Sequence, residues 1–294
     1  MDEKDWLAKR FEEQRGHLRA VAYRMLGSLT EADDAVQDTW VRVSRAEMNE
    51  IENLGGWLTT IVARVCLNML RSRNVRREES LEVHLPDPVI SSEGELGPEE
   101  EALLADSVGL ALLVVLDALA PAERLAFVLH DMFELPFEEI APMVGRSPAA
   151  ARQLASRARR RVKGAEIPDP DPTCQRAVVD AFLLAARGGD FDELVAVLHP
   201  DVLLRVDFGP SRPGASRLVR GAAAVARQAR LGANPAAVLH PALINGTAGV
   251  VITLDGQPHL VMAFTVVNDQ VVELDLIADP ERVRRVASAV LSSE

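Results

Sequence analysis

Six arginines and no acidic residue occupy one short strip of the chain, VGRSPAAARQLASRARRRV, at residues 144–162. Arg and Gln side chains can pair with base edges in the major groove of DNA, and further arginines can neutralise phosphates. The strip is unexpected because the formal net charge of the whole chain is −12. A basic helix face that meets only solvent would have the same composition, so the neighbouring elements decide between the two interpretations.

The residues around the strip predict a helix, a tight turn and a second helix. Pro136 can open the first helix and Gly145 can end it, while Ser147 can cap the second helix with Pro148 in its first turn. This pattern, with one apolar side on the second helix, favours a DNA-binding helix-turn-helix. The predicted DNA contacts are Arg146, Ser147, Arg152, Gln153, Ser156, Arg157, Arg159 and Arg160, with Arg152 and Gln153 the first choices for base contact.

A second basic face lies nearer the start of the chain. Arg64, Asn68 and Arg71 are spaced i, i+4 and i+7, so they share one face of a predicted helix. Three more arginines extend this positive charge: Arg73, Arg76 and Arg77. A solvated face is the alternative interpretation, and the polar Asn within the row makes it the weaker one.

An acidic helix precedes this basic face. Gly27 breaks the helical pattern, and Thr30 with Asp33 resembles a capping pair at the start of the next helix. Apolar residues at helical spacing predict a buried side for this helix. The outward residues would be Asp33, Asp34, Gln37, Asp38 and Arg42.

Composition limits the class of protein. With 48% hydrophobic, 26% charged and 4% aromatic residues, the chain reads as a soluble, helix-rich globular protein. Cys66 and Cys174 lie far apart without metal-ligand spacing, so we expect no metal site and no cofactor. The longest apolar run, residues 108–116, is short of a membrane span, and the charged start MDEKDWLAKRFEE does not resemble a signal peptide. We therefore expect a cytoplasmic protein with no membrane contact.

The negative charge is concentrated in two short segments. Residues 84–106 contain seven acidic and no basic residues, and residues 164–172 contain three acidic and no basic ones. Both are rich in Pro, which favours extended linkers, and the first is expected to stay extended or disordered until a helix begins near Pro98. The predicted division is a helical domain at 1–83, an acidic linker at 84–99, a second helical domain at 100–163, an Asp-Pro linker at 164–173, and a third domain at 174–294.

The third domain begins with helices and continues as strands. Asn245-Gly246, Asp255-Gly256 and Asn268-Asp269 separate apolar runs and are typical of hairpin turns. Helices followed by an antiparallel meander predict an α+β domain. Its candidate acid or base residues are Asp207, His240, His259 and Asp275, but no spacing pairs an acid with a base. A small-molecule sensor or a surface for contact with the rest of the chain is favoured over an enzyme.

Several ordered motifs within residues 10–163 resemble one family. LRAVAYRMLGSLTEADDAVQDTWVRV, GGWLTTIVARVCLNMLRSRNVRRE and AERLAFVLHDMFELPFEEIAPMVGRSPAAARQLASRARRRV are similar to domains 2 and 4 of extracytoplasmic-function (ECF) sigma factors of bacterial RNA polymerase. The resemblance implies that helix 148–162 reads the −35 promoter element. It implies binding of the polymerase β′ clamp helices by Asp33, Asp34, Gln37, Asp38 and Trp40. It implies −10 recognition by Asn49, Asn53, Arg64, Asn68, Arg71, Arg73, Arg76 and Arg77, although the family usually has Asp where this chain has Asn68.

The third domain resembles a SnoaL-like domain, a cone-shaped sheet around a pocket. The order of the three parts is that of the ECF subgroup, including the SigJ type, with a fused SnoaL-like domain. HLPDP at 84–88 is similar to that subgroup's Trp-Leu-Pro-Glu-Pro linker motif, IADPERV at 277–283 loosely resembles its Asn-Pro-Asp-Lys-Leu segment, and DFGPSR departs from its Gly-rich motif. The regulatory residues implied are His84, Leu85, Pro86, Asp87, Pro88, Asp207, Asp279 and Pro280.

The fold expected is therefore multidomain, with two all-α sigma domains followed by an α+β SnoaL-like domain. The function expected is that of a sigma factor that binds core RNA polymerase through β′ and β, opens promoter DNA, and is modulated in cis by its third domain. A small-molecule ligand of the third domain is a further candidate partner. A stand-alone ligand-sensing helix-turn-helix regulator and a SnoaL-like enzyme fused to DNA-binding helices are the alternatives. The acidic segment 84–106 is also predicted either to occupy a positively charged channel of the polymerase or to shield the basic helices before polymerase binds.

Overall fold

The computed structural model describes residues 3–45, 53–77, 83–91, 109–164, 168–169, 171–212 and 214–291. The chain divides into two compact units. The described part of the first, the helical unit, comprises residues 3–45, 53–77 and 113–164. The described part of the second, the sheet unit, comprises 83–91, 109–112 and the described residues from 168 onward.

The helices of the first unit follow the signals in the sequence. They are α1 (Glu3–Leu26), α2 (Leu29–Val43), α3 (Leu54–Arg77), α4 (Gly109–Asp117), α5 (Pro121–Phe127) with a π-helical turn at Val128–Met132, α6 (Phe137–Val144) and α7 (Pro148–Val162). Of α4, only the part from Leu113 onward belongs to the helical unit. The predicted helix-turn-helix is confirmed as α6 and α7.

The start of α2 differs from the sequence prediction. Gly27 does interrupt the helical pattern, because α1 ends at Leu26 and Gly27 has a φ of 68°. The cap, however, is Ser28, whose hydroxyl accepts a hydrogen bond from the Glu31 backbone N–H at 3.4 Å. The predicted capping pair of Thr30 and Asp33 is therefore wrong, because the helix already begins at Leu29. A serine directly after a helix-ending glycine was the stronger signal.

Residues from both predicted helical domains contact each other within the helical unit. Arg124 of α5 is only 3% exposed and donates from Nη1 to the Met25 carbonyl oxygen of α1 at 2.9 Å. Its Nη2 also donates to Asp117 at 2.9 Å. The His17 ring of α1 meets the Phe133 ring edge-on, with centroids 5.2 Å apart. The segments expected as separate domains thus pack as one body in the described residues.

The sheet unit combines helices with one seven-stranded sheet. Its elements are β1 (Ile90–Ser91), α8 (Pro172–Gly188), α9 (Phe191–Val197), β2 (Leu198–Asp207), β3 (Arg217–Arg220), α10 (Ala222–Gly232), β4 (Val238–Ile244), β5 (Thr247–Leu254), β6 (Gln257–Val267), β7 (Gln270–Ile277) and α11 (Pro280–Leu291). The strand order is β1-β4-β5-β6-β7-β2-β3. All neighbours are antiparallel except β2 and β7, which are parallel.

The three predicted hairpins are confirmed. Asn245, Asp255 and Asn268 have φ values of 51°, 50° and 50°, a conformation that Asn and Asp tolerate better than most residues. They connect β4 to β5, β5 to β6 and β6 to β7. The α+β class predicted for this part of the chain is thereby confirmed.

The two faces of the sheet have different chemistry. On one face, Phe182 of α8 packs edge-on against Phe264 of β6, with ring centroids 5.4 Å apart. On the other, Arg205 of β2 pairs with Asp275 and Glu273 of β7, at 2.9 Å to each. The alternation along β2 and β7 follows from the two-residue period of a strand.

The described part of the predicted acidic linker packs in the sheet unit. Leu85 is 0% exposed and Val89 and Ile90 are 5% and 3% exposed. β1 extends the sheet by pairing with β4, where Ile90 lies opposite Ile244. Residues 84–91 thus differ from the expected free linker, because their apolar side chains are buried in the sheet unit. The helix start predicted near Pro98 lies outside the described residues.

Candidate functional site

The basic helix α7 is positioned by a tight turn. Gly145 adopts a left-handed φ of 68°, and the Ser147 hydroxyl then accepts a hydrogen bond from the Ala150 N–H at 3.3 Å. Ala151, Ala155 and Ala158 are buried against the unit. Their small side chains let α7 lie close to α5 and α6, and this leaves the opposite side of α7 toward solvent.

The predicted −35 residues fall on that outer side. Arg152, Gln153 and Arg157 are exposed. Arg152 is 3.3 Å from Glu138 and its guanidinium lies 5.3 Å from the centre of the Phe137 ring, both on α6. The remaining exposed members of the set are Arg146, Ser147, Ser156 and Arg160.

Arg159 is placed differently from the rest of this set. It is only partly exposed, and its Nε donates to the Asp131 carboxylate at 2.6 Å. This ion pair ties α7 to the π-helical turn. The geometry favours a role for Arg159 in holding the helix rather than in reading bases.

The second basic face lies on α3. Arg64, Asn68 and Arg71 are all exposed along one side of this helix, as their spacing predicts. Asn53 precedes the helix, and its Oδ1 accepts a hydrogen bond from the Gly56 N–H at 2.9 Å, so the side chain acts as a cap. The exposed row offers two cations and an amide to a ligand.

Arg73 does not join that row. Its Nη1 donates to the Leu26 carbonyl oxygen at 3.2 Å, and its guanidinium pairs with Glu31 of α2. It therefore bridges α3 to the α1–α2 corner inside the helical unit. Asn49 and the side chains of Arg76 and Arg77 lie outside the described part of the chain.

The acidic side of α2 is also exposed. Asp33, Asp34 and Gln37 face solvent, and Asp33 accepts from Arg19 Nε at 2.6 Å. Asp38 is partly exposed and pairs with Arg42 at 2.8 Å. Trp40 is partly buried, with its ring 5.1 Å from that of Phe11. The five predicted polymerase-binding residues thus lie on one helix, four of them as a polar row.

Predicted regulatory residues meet around Arg282 in a cluster of the sheet unit that is buried except for the exposed His84. We call it the linker cluster: His84, Leu85, Asp87, Asp207, Asp279 and Arg282. Arg282 of α11 organises it. Its Nε donates to Asp87 Oδ1 at 2.8 Å, its Nη1 to Asp207 Oδ2 at 2.7 Å, and its Nη2 to the Leu85 carbonyl oxygen at 2.6 Å. Pro86 and Pro88, which flank Asp87, are buried as well.

Asp207 is the negative centre of the linker cluster. Burial opposes its ionisation, but His84, the Leu85 N–H and the Arg282 charge together hold the pKa of Asp207 well below its usual range. The Leu85 N–H donates to Asp207 Oδ2 at 2.8 Å, and His84 Nδ1 lies 3.5 Å from the same oxygen. Asp207 is therefore a carboxylate that holds both the linker backbone and Arg282.

Asp279 completes the cluster by capping α11. Its Oδ1 accepts the Arg282 N–H at 2.8 Å, with Pro280 in the first turn of the helix. Gly209 lies directly beside it, with a φ of 68°, and a methyl group on Gly209 would overlap the Asp279 carboxylate. The loop DFGPSR, which departs from the family's Gly-rich motif, thus keeps a glycine where the close approach requires one.

Sequence reasoning missed the two residues that bind the linker most directly. One is Arg282, and its signal was its position three residues after the helix-capping Asp279. The other is Asn245, whose Oδ1 accepts the Val89 N–H at 3.1 Å and whose own N–H donates to the Val89 carbonyl oxygen at 2.8 Å. A hairpin asparagine carried no sign of this second role.

A cavity of about 300 Å³ lies on the apolar face of the sheet. Of the four candidate acid or base residues, His259 lines it, whereas Asp207, His240 and Asp275 are not among its lining residues. His240 instead contacts Thr253 Oγ1 at 3.0 Å, and Asp275 pairs with Arg205 on the opposite face. The cavity therefore brings together none of the predicted acid and base residues.

Among the described helices, none combines the length and the apolarity that a membrane span requires.

Comparison with known proteins adds family relationships. The family model described as Sigma-70 region 2 matches residues 11–76, and that described as Sigma-70, region 4 matches residues 109–162. The chain is 38% identical over 287 residues to the ECF RNA polymerase sigma factor SigJ of Mycobacterium tuberculosis (strain ATCC 25618 / H37Rv), an alignment that covers 92% of this chain and 91% of that protein.

Two further likenesses agree with this one. The probable ECF RNA polymerase sigma factor SigI of Mycobacterium tuberculosis (strain CDC 1551 / Oshkosh) is 37% identical over 211 residues, covering 70% of this chain and 72% of that protein. The crystal structure of Mycobacterium tuberculosis SigJ superposes with a TM-score of 0.75 at 37% identity, covering 94% of this chain and 97% of that one. The likeness extends through the sheet unit, whose α+β fold is SnoaL-like as predicted.

Proposed function

This chain belongs to the ECF RNA polymerase sigma factors. From that premise we propose a role for the exposed polar surfaces of α2, α3 and α7 and for the linker cluster. As a sigma factor it binds core RNA polymerase and promoter DNA and acts in transcription initiation. The finer assignments that follow are our proposals. We propose that the protein acts in the cytoplasm, together with the polymerase.

We assign −35 recognition to the outer side of α7. Arg152, Gln153 and Arg157 are exposed there, and Ser156 and Arg160 extend the surface. Arg and Gln donors at successive helical positions match base edges in the major groove, while Arg146 and Ser147 at the helix start suit phosphates. The exposure of this set, against the burial of the alanines behind it, supports the assignment.

We assign −10 recognition to α3 and polymerase binding to α2. Arg64, Asn68 and Arg71 form a continuous exposed row that suits a single strand of promoter DNA. Asn68 offers an amide where the family usually has a carboxylate, so it adds no repulsion toward phosphates. The polar row that includes Asp33, Asp34 and Gln37 is proposed to dock on the β′ clamp helices.

We propose that the sheet unit modulates the sigma regions by holding the linker. The single observation that carries this proposal is the Arg282 guanidinium, which binds Asp87, Asp207 and the Leu85 carbonyl at once. Residues 78–82 alone join α3 to the held segment that begins at residue 83. An extended chain spans at most about 3.5 Å per residue, so the held linker keeps the end of α3 on a short tether.

Release of the linker would lengthen that tether. With residues 83–91 free, the whole segment 78–108 would connect α3 to α4. The two DNA-reading helices would then separate more easily on the polymerase. By holding or releasing the linker, the linker cluster would therefore control the separation of the sigma regions without a separate inhibitor protein.

Run-off transcription tests the sigma assignment. Core polymerase is combined with the full chain on a promoter selected for it, with wild type, Gln153→Ala and Arg227→Gln compared. Arg227 is exposed on α10 of the sheet unit and serves as a control. We expect a transcript that depends on the chain, falls with Gln153→Ala and is unchanged with Arg227→Gln. The absence of a promoter-dependent transcript when the chain is added to core polymerase would overturn the assignment.

The two alternative functions gain no support from the site. A tethered enzyme would need an acid and a base in the cavity, and of the four candidates only His259 lines it. A stand-alone regulator has no use for the second basic row on α3. We therefore propose a regulator of transcription initiation that is not an enzyme.

A further inference from the structure

The cavity of the sheet unit has an almost wholly apolar interior. Phe182 of α8, Leu204 of β2 and Leu274 of β7 line it and are 1%, 2% and 2% exposed. Val225 of α10 and Met262 of β6 complete the buried wall. Its volume of about 300 Å³ is within the range of pockets that hold small organic molecules. A ligand that fills it must therefore present an apolar body.

Polar residues line part of the cavity, and among them Gln228 is partly buried and Asn234 is exposed. Arg187, Arg217 and His259 are exposed and line it, and no Asp or Glu is among the lining residues. Arg187 donates to the Ala237 carbonyl oxygen, which joins the end of α8 to the segment before β4. Arg217 begins β3 opposite Val206, with its guanidinium 6.0 Å from the centre of the Phe208 ring. The mouth is thus electropositive and the interior apolar.

We propose that this cavity binds an apolar carboxylate, such as a medium-chain fatty acid, with its chain inside and its carboxylate at Arg217. A guanidinium recognises a carboxylate through paired N–H donors. No Asp or Glu is among the described residues that line the cavity, so no lining carboxylate competes with the ligand for Arg187, Arg217 or His259. The buried wall of Phe182, Leu204, Val225, Met262 and Leu274 favours a flexible aliphatic chain over a polar metabolite, because a polar group packed against these side chains loses its hydrogen bonds to water. Gln228 is the one partly buried polar side chain among the described lining residues.

The cavity wall and the linker cluster share a strand. Val206 and Phe208 line the cavity, and Asp207 between them points into the linker cluster. Ala278 also lines the cavity, and its N–H donates to the Asp207 carbonyl oxygen at 2.8 Å. A ligand that moves the end of β2 therefore also moves the carboxylate that holds Arg282. This regulatory consequence rests on the proposed function, whereas ligand binding itself does not.

Isothermal titration calorimetry on the full chain tests the binding. The probes are decanoate, octanoate and the uncharged decan-1-ol. We expect saturable one-to-one binding of decanoate and about 10-fold weaker binding of octanoate, because two fewer CH₂ groups are buried. Decan-1-ol should bind more weakly than decanoate. If none of the three probes binds saturably, the proposal is wrong.

Two arginine variants locate the carboxylate. Arg217→Gln should weaken decanoate at least 10-fold and leave decan-1-ol unchanged, whereas Arg227→Gln, an exposed arginine on α10, should change neither. Ala229→Phe, which fills the cavity, should abolish binding of both, with circular dichroism used to confirm that the variant folds. Equal affinity for decanoate and decan-1-ol, or an Arg217→Gln variant that binds decanoate as wild type does, would overturn carboxylate recognition. Because calorimetry needs no polymerase, these results do not depend on the sigma assignment.

Discussion

The Arg282 guanidinium donates from Nε to the Asp87 carboxylate over 2.8 Å, although 195 residues separate the two along the chain. Both groups are buried, with Arg282 8% and Asp87 4% exposed. Buried charges persist only when they are paired and hydrogen-bonded, and removing one partner leaves the other uncompensated. The pair therefore ties the linker between the sigma regions to the last helix of the sheet unit.

Gly209 is predicted to be the most restrictive glycine of the linker cluster. Gly209→Ala combines a left-handed φ with a methyl group that overlaps Asp279, so we expect a loss of about 2 kcal/mol or more in the free energy of unfolding. Gly256→Ala is the matched control, because its φ of 73° is similar but a methyl group there meets nothing within 4 Å. Chemical denaturation followed by circular dichroism measures both. Equal losses in the two variants would show that the contact with Asp279 is unimportant.

The linker cluster should weaken in acid. The pKa of Asp207 is lower in the folded chain than its unfolded value of about 3.9, so its stabilisation is fully present above that value and is lost as the pH falls below it. Asp207→Asn removes this contribution at every pH. We therefore expect the difference in unfolding free energy between wild type and Asp207→Asn to be constant from pH 5 to 7.

Below that range the same difference should shrink as Asp207 takes up a proton. Denaturant titrations at successive pH values between roughly 2.5 and 7 give the difference directly. A difference that grows toward low pH would contradict the assigned direction of the pKa shift.

The −35 surface should show sequence-specific losses. In the holoenzyme, Gln153→Ala is expected to cost about 1–3 kcal/mol of binding and to relax the preference at one promoter base pair. Arg160→Ala should weaken all promoter sequences alike, because an arginine late in the helix suits a phosphate. Competition binding with promoters mutated base by base separates the two effects. Identical, sequence-independent losses in both variants would contradict base reading by Gln153.

The free chain should bind promoter DNA poorly. The helices proposed to read the −10 and −35 elements, α3 and α7, belong to one compact helical unit. We expect this unit to engage the two separate promoter elements only when core polymerase holds its parts in place. Fluorescence anisotropy of a labelled promoter should therefore show tight binding only when core polymerase is present. Equally tight binding by the chain alone would favour a stand-alone regulator.

Local signals in the sequence predicted the elements that have local causes. Gly145 and Ser147 fixed the turn between α6 and α7, and the Asn and Asp turns fixed the hairpins. The spacing of Arg64, Asn68 and Arg71 correctly predicted a shared exposed face. These features depend on residues within about one turn of each other, so a single sequence contains the information.

The features that sequence reasoning missed depend on distant partners. The Pro-rich, acidic composition of the linker indicated a solvated segment. Leu85 and Asp87 are nevertheless buried, because the Leu85 N–H is bound by Asp207 and the Asp87 carboxylate by Arg282. Arg73 continued a basic row in the sequence, but it turns toward Glu31 because the α1–α2 corner lies beside it. Periodicity identifies a face of a helix and not what packs against it.

Control of the sigma regions through the linker is tested most directly by the affinity of core polymerase for chains with and without an intact linker cluster. Asp87→Asn and Arg282→Gln are compared with wild type by fluorescence anisotropy of the labelled full chain, with Arg284→Gln as the control because Arg284 is exposed on the same helix. We predict that both cluster variants shift the affinity several-fold in the same direction and that Arg284→Gln has the wild-type value. Wild-type affinity in both cluster variants, with wild-type transcript yield in run-off assays, would contradict control of the sigma regions through the linker.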